Sequence, residues 1–323
     1  MAASRRPLRV RAFAKINLHL RILGRRPDGY HDIDSVMHRI AWGDEIELLP
    51  RPDGELRLVL EAGGRPEAAA GPDVPPGPEN LAWRAARWLQ RTFGVATGAE
   101  IRLRKRVAVG AGLGGGSADA AAVIRGLRRL WRLRVPAERL RVMAAAVGAD
   151  VPFLLGLRAA RVQGMGERLE SLPPWPGLFL VLVTLPRPVS TAWAYAAWDR
   201  RAGGGPAGAA GRDDAGAGAG REPGRDAAGE DGAAAEAFVR AFRARDLAGL
   251  ARLAANDFEP VVAARVPEVE QALAALRREG ALVARMTGSG PTVWGLFPGR
   301  AAAVRAWRRL LPAYPGARVV RTL

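Results

Sequence analysis

An α+β protein of two domains is what this sequence predicts, and three observations carry the expectation. The chain has 323 residues, 49% of them apolar, enough for two ordinary domains or one large one with a sizeable core. Segments in which apolar and polar residues alternate are interspersed with segments in which apolar residues recur every three or four positions, so strands and amphipathic helices share the chain. Residues 202–233 break both patterns: 21 of these 32 positions are glycine or alanine, and none is aromatic or β-branched. Such a stretch cannot bury enough apolar surface to offset its ordering entropy, so it reads as a flexible insertion.

In chain order, Leu18, Leu20 and Ile22 alternate with His19 and Arg21, which predicts a strand over 8–23. "RRPDGYHD" (25–32) follows as a Pro-Asp-Gly turn. "DEIELLP" and "ELRLVLE" alternate again and read as strands. Leu81, Ala85, Trp88 and Leu89 share a helical face, with Pro78 and Glu79 near its start. "EIRLRKRVAV" predicts a strand with Ile101, Leu103, Lys105 and Val107 on one side. A glycine-rich loop then precedes a helix over about 117–131, and Pro136 opens another that Gly148 ends. Strands are expected at 159–163 and 179–184, helices at 234–245, 247–256 and 267–279. "ARMTGSGPTVWGLFP" reads as strand, glycine turn, strand, and a final helix spans about 300–311.

Composition narrows the function. Cysteine is absent, which removes disulfides, thiolate metal sites and a cysteine nucleophile. There is no run long and apolar enough to span a membrane. The N-terminus is basic but lacks an apolar core, so it reads as the start of the fold, and the cytoplasm is the default location. The net charge of +17 raises the possibility of nucleic-acid binding, but the arginines are dispersed and not interleaved with aromatics, so solvated surface is the simpler reading. Of 49 basic residues only Lys15 and Lys105 are lysine. A compact, rotatable ammonium differs from a planar guanidinium, so these two positions draw attention.

The loop "AVGAGLGGGSADAA" (108–121) carries the clearest chemistry. Its glycines permit positive φ and close backbone approach, and its amides together with the helix start favour an anion such as phosphate. A tight structural connection is the competing reading. It is not a Walker loop, because Ser117 and Ala118 stand where a lysine would follow the last glycine. It is not a dinucleotide fingerprint in context either, because no acidic residue follows at a strand end about twenty residues on. Phosphoryl transfer also needs a cation near the transferred group and a residue to orient or deprotonate the acceptor. Lys15 in "AFAKINLHL" and Asp150 in "VGADVPF" are the candidates, although Asp150 alone also reads as a capping or turn aspartate.

Taken together, "AKINLHL", "GAGLGGGSADAA" and "TGSGPTVWGLF" resemble the three signature segments of the GHMP kinases (galactokinase, homoserine, mevalonate and phosphomevalonate kinases). "RRPDGYHDIDSV" and "GADVPF" resemble the branch of that family whose acceptor carries a cytidyl diphosphate. The resemblance implies a ribosomal protein S5 domain 2-like N-terminal domain over 1–166, which binds ATP, and a ferredoxin-like C-terminal domain over 167–323. It implies transfer of the ATP γ-phosphoryl group to the 2-hydroxyl of 4-diphosphocytidyl-2-C-methyl-D-erythritol in the non-mevalonate route to isoprenoid precursors. Lys15 and Asp150 match the catalytic pair. Ala108, Val109, Gly110, Ala111, Gly112 and Leu113, then Gly114, Gly115, Gly116, Ser117 and Ala118, match the ATP-phosphate loop, with Asn80 and Lys105 near the nucleotide. Tyr30, His31 and Tyr195 match the residues around the cytosine ring, and Asn17 and Thr287, Gly288, Ser289 and Gly290 match others on the substrate side.

Mg²⁺ is expected with the nucleotide, without a dedicated protein metal site. The implied partners are small molecules, with neither nucleic acid nor membrane; the oligomeric state stays open. The alternatives are a homoserine- or mevalonate-type alcohol kinase, and a basic nucleic-acid-binding protein.

Overall fold

The structure, a computed structural model, describes residues 6–61, 74–202 and 226–323, and two sheets organise them. The first is built on a hairpin of β1 (Leu8–Arg25) and β2 (His31–Arg51), paired antiparallel along nearly their whole length. The alternation read from the sequence is what buries β1: Ala12, Ala14, Ile16, Leu18, Leu20 and Ile22 are all inside. β2 begins thirteen residues before "DEIELLP", where Asp34, Ser35 and His38 mask the apolar alternation. These polar groups are buried because each is paired: Asp34 accepts from Arg161 and Gln163, and Ser35 donates to the His19 carbonyl.

β2 carries two neighbours in succession on its other edge. Residues 33–38 pair with β5 (Ala159–Gly164), which pairs in turn with β6 (Arg168–Ser171). Residues 45–51 pair with β4 (Gly98–Arg104), which runs parallel to β3 (Leu56–Leu60). Helices α1 (Leu81–Thr92), α2 (Gly115–Leu130), α3 (Ala137–Met143) and α4 (Val151–Gly156) complete this half. α2 packs on β1, β2, α1 and α4, which its run of small residues Ala120, Ala121 and Ala122 allows.

The second sheet has the order β10-β7-β9-β8, with β7 (Phe179–Thr184), β8 (Val283–Met286), β9 (Thr292–Phe297) and β10 (Arg318–Arg321). All its pairs are antiparallel, and α9 (Glu268–Arg278) and α10 (Arg300–Leu310) pack against it. This is the split βαβ arrangement of a ferredoxin-like domain. α5 (Thr191–Arg201), α6 (Asp226–Arg243), α7 (Leu247–Leu253) and α8 (Glu259–Arg265) complete the second half. The halves interlock: α6 lies on β1, and Ile16, Leu18, Phe238 and Trp294 share one core cluster.

Several expected boundaries move. β6 belongs to the first sheet, so that sheet runs to Ser171 and the expected domain boundary at 166/167 falls inside a hairpin. β4 ends at Arg104, leaving Lys105 outside the strand. α2 starts at Gly115, two residues early. The helix from Pro136 is short and passes into a turn of 3₁₀ helix at Ala144–Ala146. Of the insertion read at 202–233, residues 203–225 lie outside the described residues, and 226–233 already belong to α6. The short helices α4, α5 and α8 have no counterpart in the sequence reading, since each is too brief or too aromatic for a clear helical stripe.

Candidate active site

A cleft of about 980 Å³ opens between the two halves. Its floor is the glycine loop, which joins β4 to α2. Gly110, Gly112 and Gly114 have φ of 69, 75 and 66°, the left-handed region that glycine enters without strain. The approach to other backbone is equally demanding: a Cβ on Gly112 would lie 2.2 Å from the Thr287 carbonyl oxygen. The loop entry is pinned by buried Asp44, whose Oδ1 accepts from the Val107 amide at 2.8 Å and from the Arg106 amide. Gly114 is the N-cap of α2 and offers no side-chain acceptor, so the first amides of the helix remain available to an anion.

Lys15 and Asp150 meet beside this loop. The register of β1 slips between Phe13 and Lys15, and the Lys15 amide donates to the Leu113 carbonyl at 3.0 Å. Such a bulge re-aims side chains at a sheet. The Lys15 ammonium, buried to within 6% exposure, lies 3.7 Å from Asp150 Oδ2 and donates to Asn17 Oδ1 at 2.7 Å. Asp150 stands at the N-cap position of α4 but makes no capping bond, so its carboxylate is not consumed by the helix. A Cβ on Gly114 would lie 3.1 Å from Lys15 Cε and 3.4 Å from Asp150 Oδ2, so bare backbone covers the pair.

Asn17 holds this arrangement from behind. Its side chain takes the Lys15 bond and donates to Ser35, while its amide donates to Thr287 Oγ1 at 2.9 Å. Asn256 donates to the Met286 and Gly288 carbonyls and fixes the second glycine turn against the first. Gly288 and Ser289 border the cleft; Thr287 and Gly290 stand behind its wall, and Ala118 is buried inside α2.

The two expected nucleotide residues outside the loop are already engaged. Asn80 borders the cleft, but its Oδ1 caps α1 through the Ala82 amide and its Nδ2 donates to the Pro75 carbonyl. The Lys105 ammonium bonds two buried carboxylates, Asp44 and, at 2.7 Å, Asp119. One ammonium between two carboxylates leaves excess negative charge. Burial raises the Asp119 carboxyl well above its usual range, with Lys105 pulling it down and Asp44 pushing it up. Burial works against the charged Lys105, but Asp119 and Asp44 together raise it.

At the other end of the cleft Tyr30 is 64% exposed on the turn before β2. Tyr195 also borders the cleft, its ring stacked on His31 at 4.4 Å and nearly perpendicular to Phe258 at 4.8 Å. Burial, with nearby Asp150, pushes the Tyr195 phenol up to about 12. The sequence reading missed Arg25, Asp119 and Asp199, all of which border the cleft. Asp199 stands at i+4 from Tyr195 on one face of α5, a relation hidden from the sequence reading because that helix carries no clear apolar stripe.

Family models for the GHMP kinases N terminal domain and C terminal domain match residues 80–156 and 238–315. A 4-diphosphocytidyl-2-C-methyl-D-erythritol kinase of Pelotomaculum thermopropionicum is 43% identical over 88% of this chain and 87% of its own. The same-named protein of Symbiobacterium thermophilum is 40% identical over 98% of this chain and 100% of its own. A crystal structure of 4-(cytidine 5'-diphospho)-2C-methyl-D-erythritol kinase superposes with a TM-score of 0.72 at 30% identity, covering 98% of this chain and 99% of that one. A homoserine kinase from Cytophaga hutchinsonii, at 18% identity and TM-score 0.73 over 100% of this chain and 96% of its own, shares the fold. No helix among the described residues is long and apolar enough to cross a membrane. Likeness of this extent, over a cleft that brings a lysine and an aspartate to a glycine-rich loop, shows that the chain belongs to the 4-diphosphocytidyl-2-C-methyl-D-erythritol kinase family of GHMP kinases.

Proposed function

We propose that this protein transfers the γ-phosphoryl group of ATP to the 2-hydroxyl of 4-diphosphocytidyl-2-C-methyl-D-erythritol, a step toward isoprenoid precursors. The observation that carries the reading is the Lys15–Asp150 pair, 3.7 Å apart beneath Gly114. ATP phosphates lie against the amides of 108–117 and the start of α2. The acceptor oxygen attacks the γ-phosphorus, the bond to the β,γ-bridging oxygen breaks, and ADP leaves. The hydroxyl proton passes to Asp150, which later releases it to solvent. Lys15, oriented by Asn17, offsets the charge that develops beside the transferred group.

Among the described residues no three histidine or acidic side chains gather around a metal position. Asp119 Oδ1 is a buried carboxylate oxygen without a hydrogen-bond partner, on a residue that borders the cleft. Mg²⁺ takes one or two carboxylates with phosphates and waters, so these residues fit an ion delivered on the nucleotide, with Asp119 the side chain that would hold it. Bound there, it would neutralise terminal phosphate charge. The reading carries a cytoplasmic location with it, since ATP is the phosphoryl donor, and the partners are small molecules.

An ADP-coupled assay across candidate alcohols tests the proposal. Turnover is expected with the cytidyl substrate, and turnover only with homoserine or mevalonate would defeat it. Asp150→Asn should lower kcat by about 10²–10⁴-fold while ATP affinity survives. Activity within a few-fold of the parent would remove Asp150 as the base.

A further inference from the structure

α5 presents three side chains to one histidine. Tyr195, Trp198 and Asp199 stand at i, i+3 and i+4, one face of the helix. Tyr195 stacks on the His31 ring at 4.4 Å and 18°, and Trp198 meets that ring edge-on at 5.8 Å. Asp199 Oδ1 lies 2.6 Å from His31 Nε2, with both side chains largely buried at 7% and 15% exposure. Arg25 Nε lies 3.9 Å from the other carboxylate oxygen. The His31 ring thus has one face covered, an edge packed and one nitrogen taken. Nδ1 makes no hydrogen bond among the described residues, and His31 borders the cleft.

A carboxylate only accepts, so it draws the imidazole proton to Nε2. In the neutral ring Nδ1 then bears a lone pair and accepts from a ligand. An exocyclic amino group satisfies that lone pair. A keto oxygen in the same place sets two acceptors against each other, and a buried polar group left unpaired is costly.

We propose that Asp199 is a positioning residue that holds His31 in its Nε2–H tautomer and thereby selects cytosine over uracil. The inference rests on the reading that the acceptor substrate carries a cytidyl diphosphate. Cytosine presents an amino group at the position where uracil presents an oxygen. Replacing the carboxylate by an amide, as in Asp199→Asn, releases the selection: the amide either accepts from Nε2–H through its oxygen or rotates its NH₂ to donate to Nε2. The rotation moves the ring proton to Nδ1 and suits the keto base.

Steady-state kinetics with the cytidyl substrate and its uridyl analogue test this. Wild-type enzyme is expected to prefer the cytidyl form by about 100-fold or more in kcat/KM. Asp199→Asn should shrink that preference by about tenfold or more, through KM for the cytidyl substrate, while KM for ATP moves less than about twofold. In a His31→Ala background the same substitution should change the preference by less than about twofold, because its effect passes through the ring. An undiminished preference in Asp199→Asn, or an equal loss without His31, overturns the proposal.

A measurement on the unaltered protein stands beside these. The chain has three histidines, so ring-nitrogen NMR can be assigned, and the neutral His31 ring should carry its proton on Nε2. A neutral ring with its proton on Nδ1 overturns the inference even if Asp199→Asn does not fold. Turnover of neither nucleotide by wild-type enzyme would instead bring down the proposed function and this inference together.

Discussion

Gly112→Ala is the sharpest perturbation of the contact between the two glycine turns. At φ 75° an alanine pays about 1 kcal/mol for the left-handed backbone. Its methyl group would also stand 2.2 Å from the Thr287 carbonyl oxygen, against 3.4 Å for ordinary contact, so the turns must part by about 1.2 Å. Neither side yields easily. The Thr287 carbonyl accepts from the Gly290 amide at 3.1 Å, and Asn256 ties the turn on either side of it. Overpacking of this kind costs roughly 1–3 kcal/mol, so a total loss of about 2–4 kcal/mol is expected in denaturant unfolding. Displacing the loop from Lys15 and Asp150 by about 1 Å should cost about 100-fold in kcat/KM in the ADP-coupled assay.

Gly94→Ala separates the two terms. Gly94 has φ 59° with nothing within 4 Å of a Cβ, so it carries the backbone cost alone, about 1 kcal/mol, with unchanged kinetics. Should Gly112→Ala lose no more stability than Gly94→Ala and keep kcat/KM within about threefold, the tight contact is not what seats the loop.

Other expectations follow from single sites. Tyr30→Ala should raise KM for the cytidyl substrate by about 5- to 150-fold, one aromatic stack of roughly 1–3 kcal/mol, and leave KM for ATP alone; equal losses for both substrates would refute a base-stacking role. Lys105→Met leaves Asp44 and Asp119 buried without their cation and should cost about 3–5 kcal/mol of stability, checked by urea unfolding; an unchanged midpoint would show that the triad is not held as drawn. His38 accepts from the Trp175 amide through Nε2 and donates through Nδ1 to the Arg39 carbonyl, and burial lowers it from 6.5 to about 4. The unfolded chain therefore takes up this proton first as pH falls. The stability contribution is complete above 6.5 and is lost down to about 4, a total of about 3 kcal/mol. His38→Gln should flatten that part of the stability–pH curve, and a curve of unchanged slope would contradict the assignment.

What the sequence determined by itself was local and periodic. β1, α1, α2, α9, α10 and the β8–β9 turn were legible because strand and helix each stamp a fixed spacing on apolar residues. The glycine loop was legible because positive φ and close approach admit few other residues. Lys15 and Asp150 were legible as the cation and carboxylate that phosphoryl transfer needs, whereas His31 and Tyr195 were reachable only through the order of several motifs.

Tertiary structure decided the rest, because what remained depends on partners distant in the chain. The first part of β2 hides its alternation behind polar residues that are buried only because residues such as Arg161 and the His19 carbonyl meet them. Lys105 and Asn80, expected near the nucleotide, border the cleft, but only the fold shows that Asp44, Asp119 and the start of α1 engage their polar atoms. Asp199 acquires meaning only when α5 folds it against a histidine 168 residues earlier. A hydrogen-bonding group can be recognised from its residue type, but whether it is left over for a substrate is settled only when every nearer partner has been satisfied.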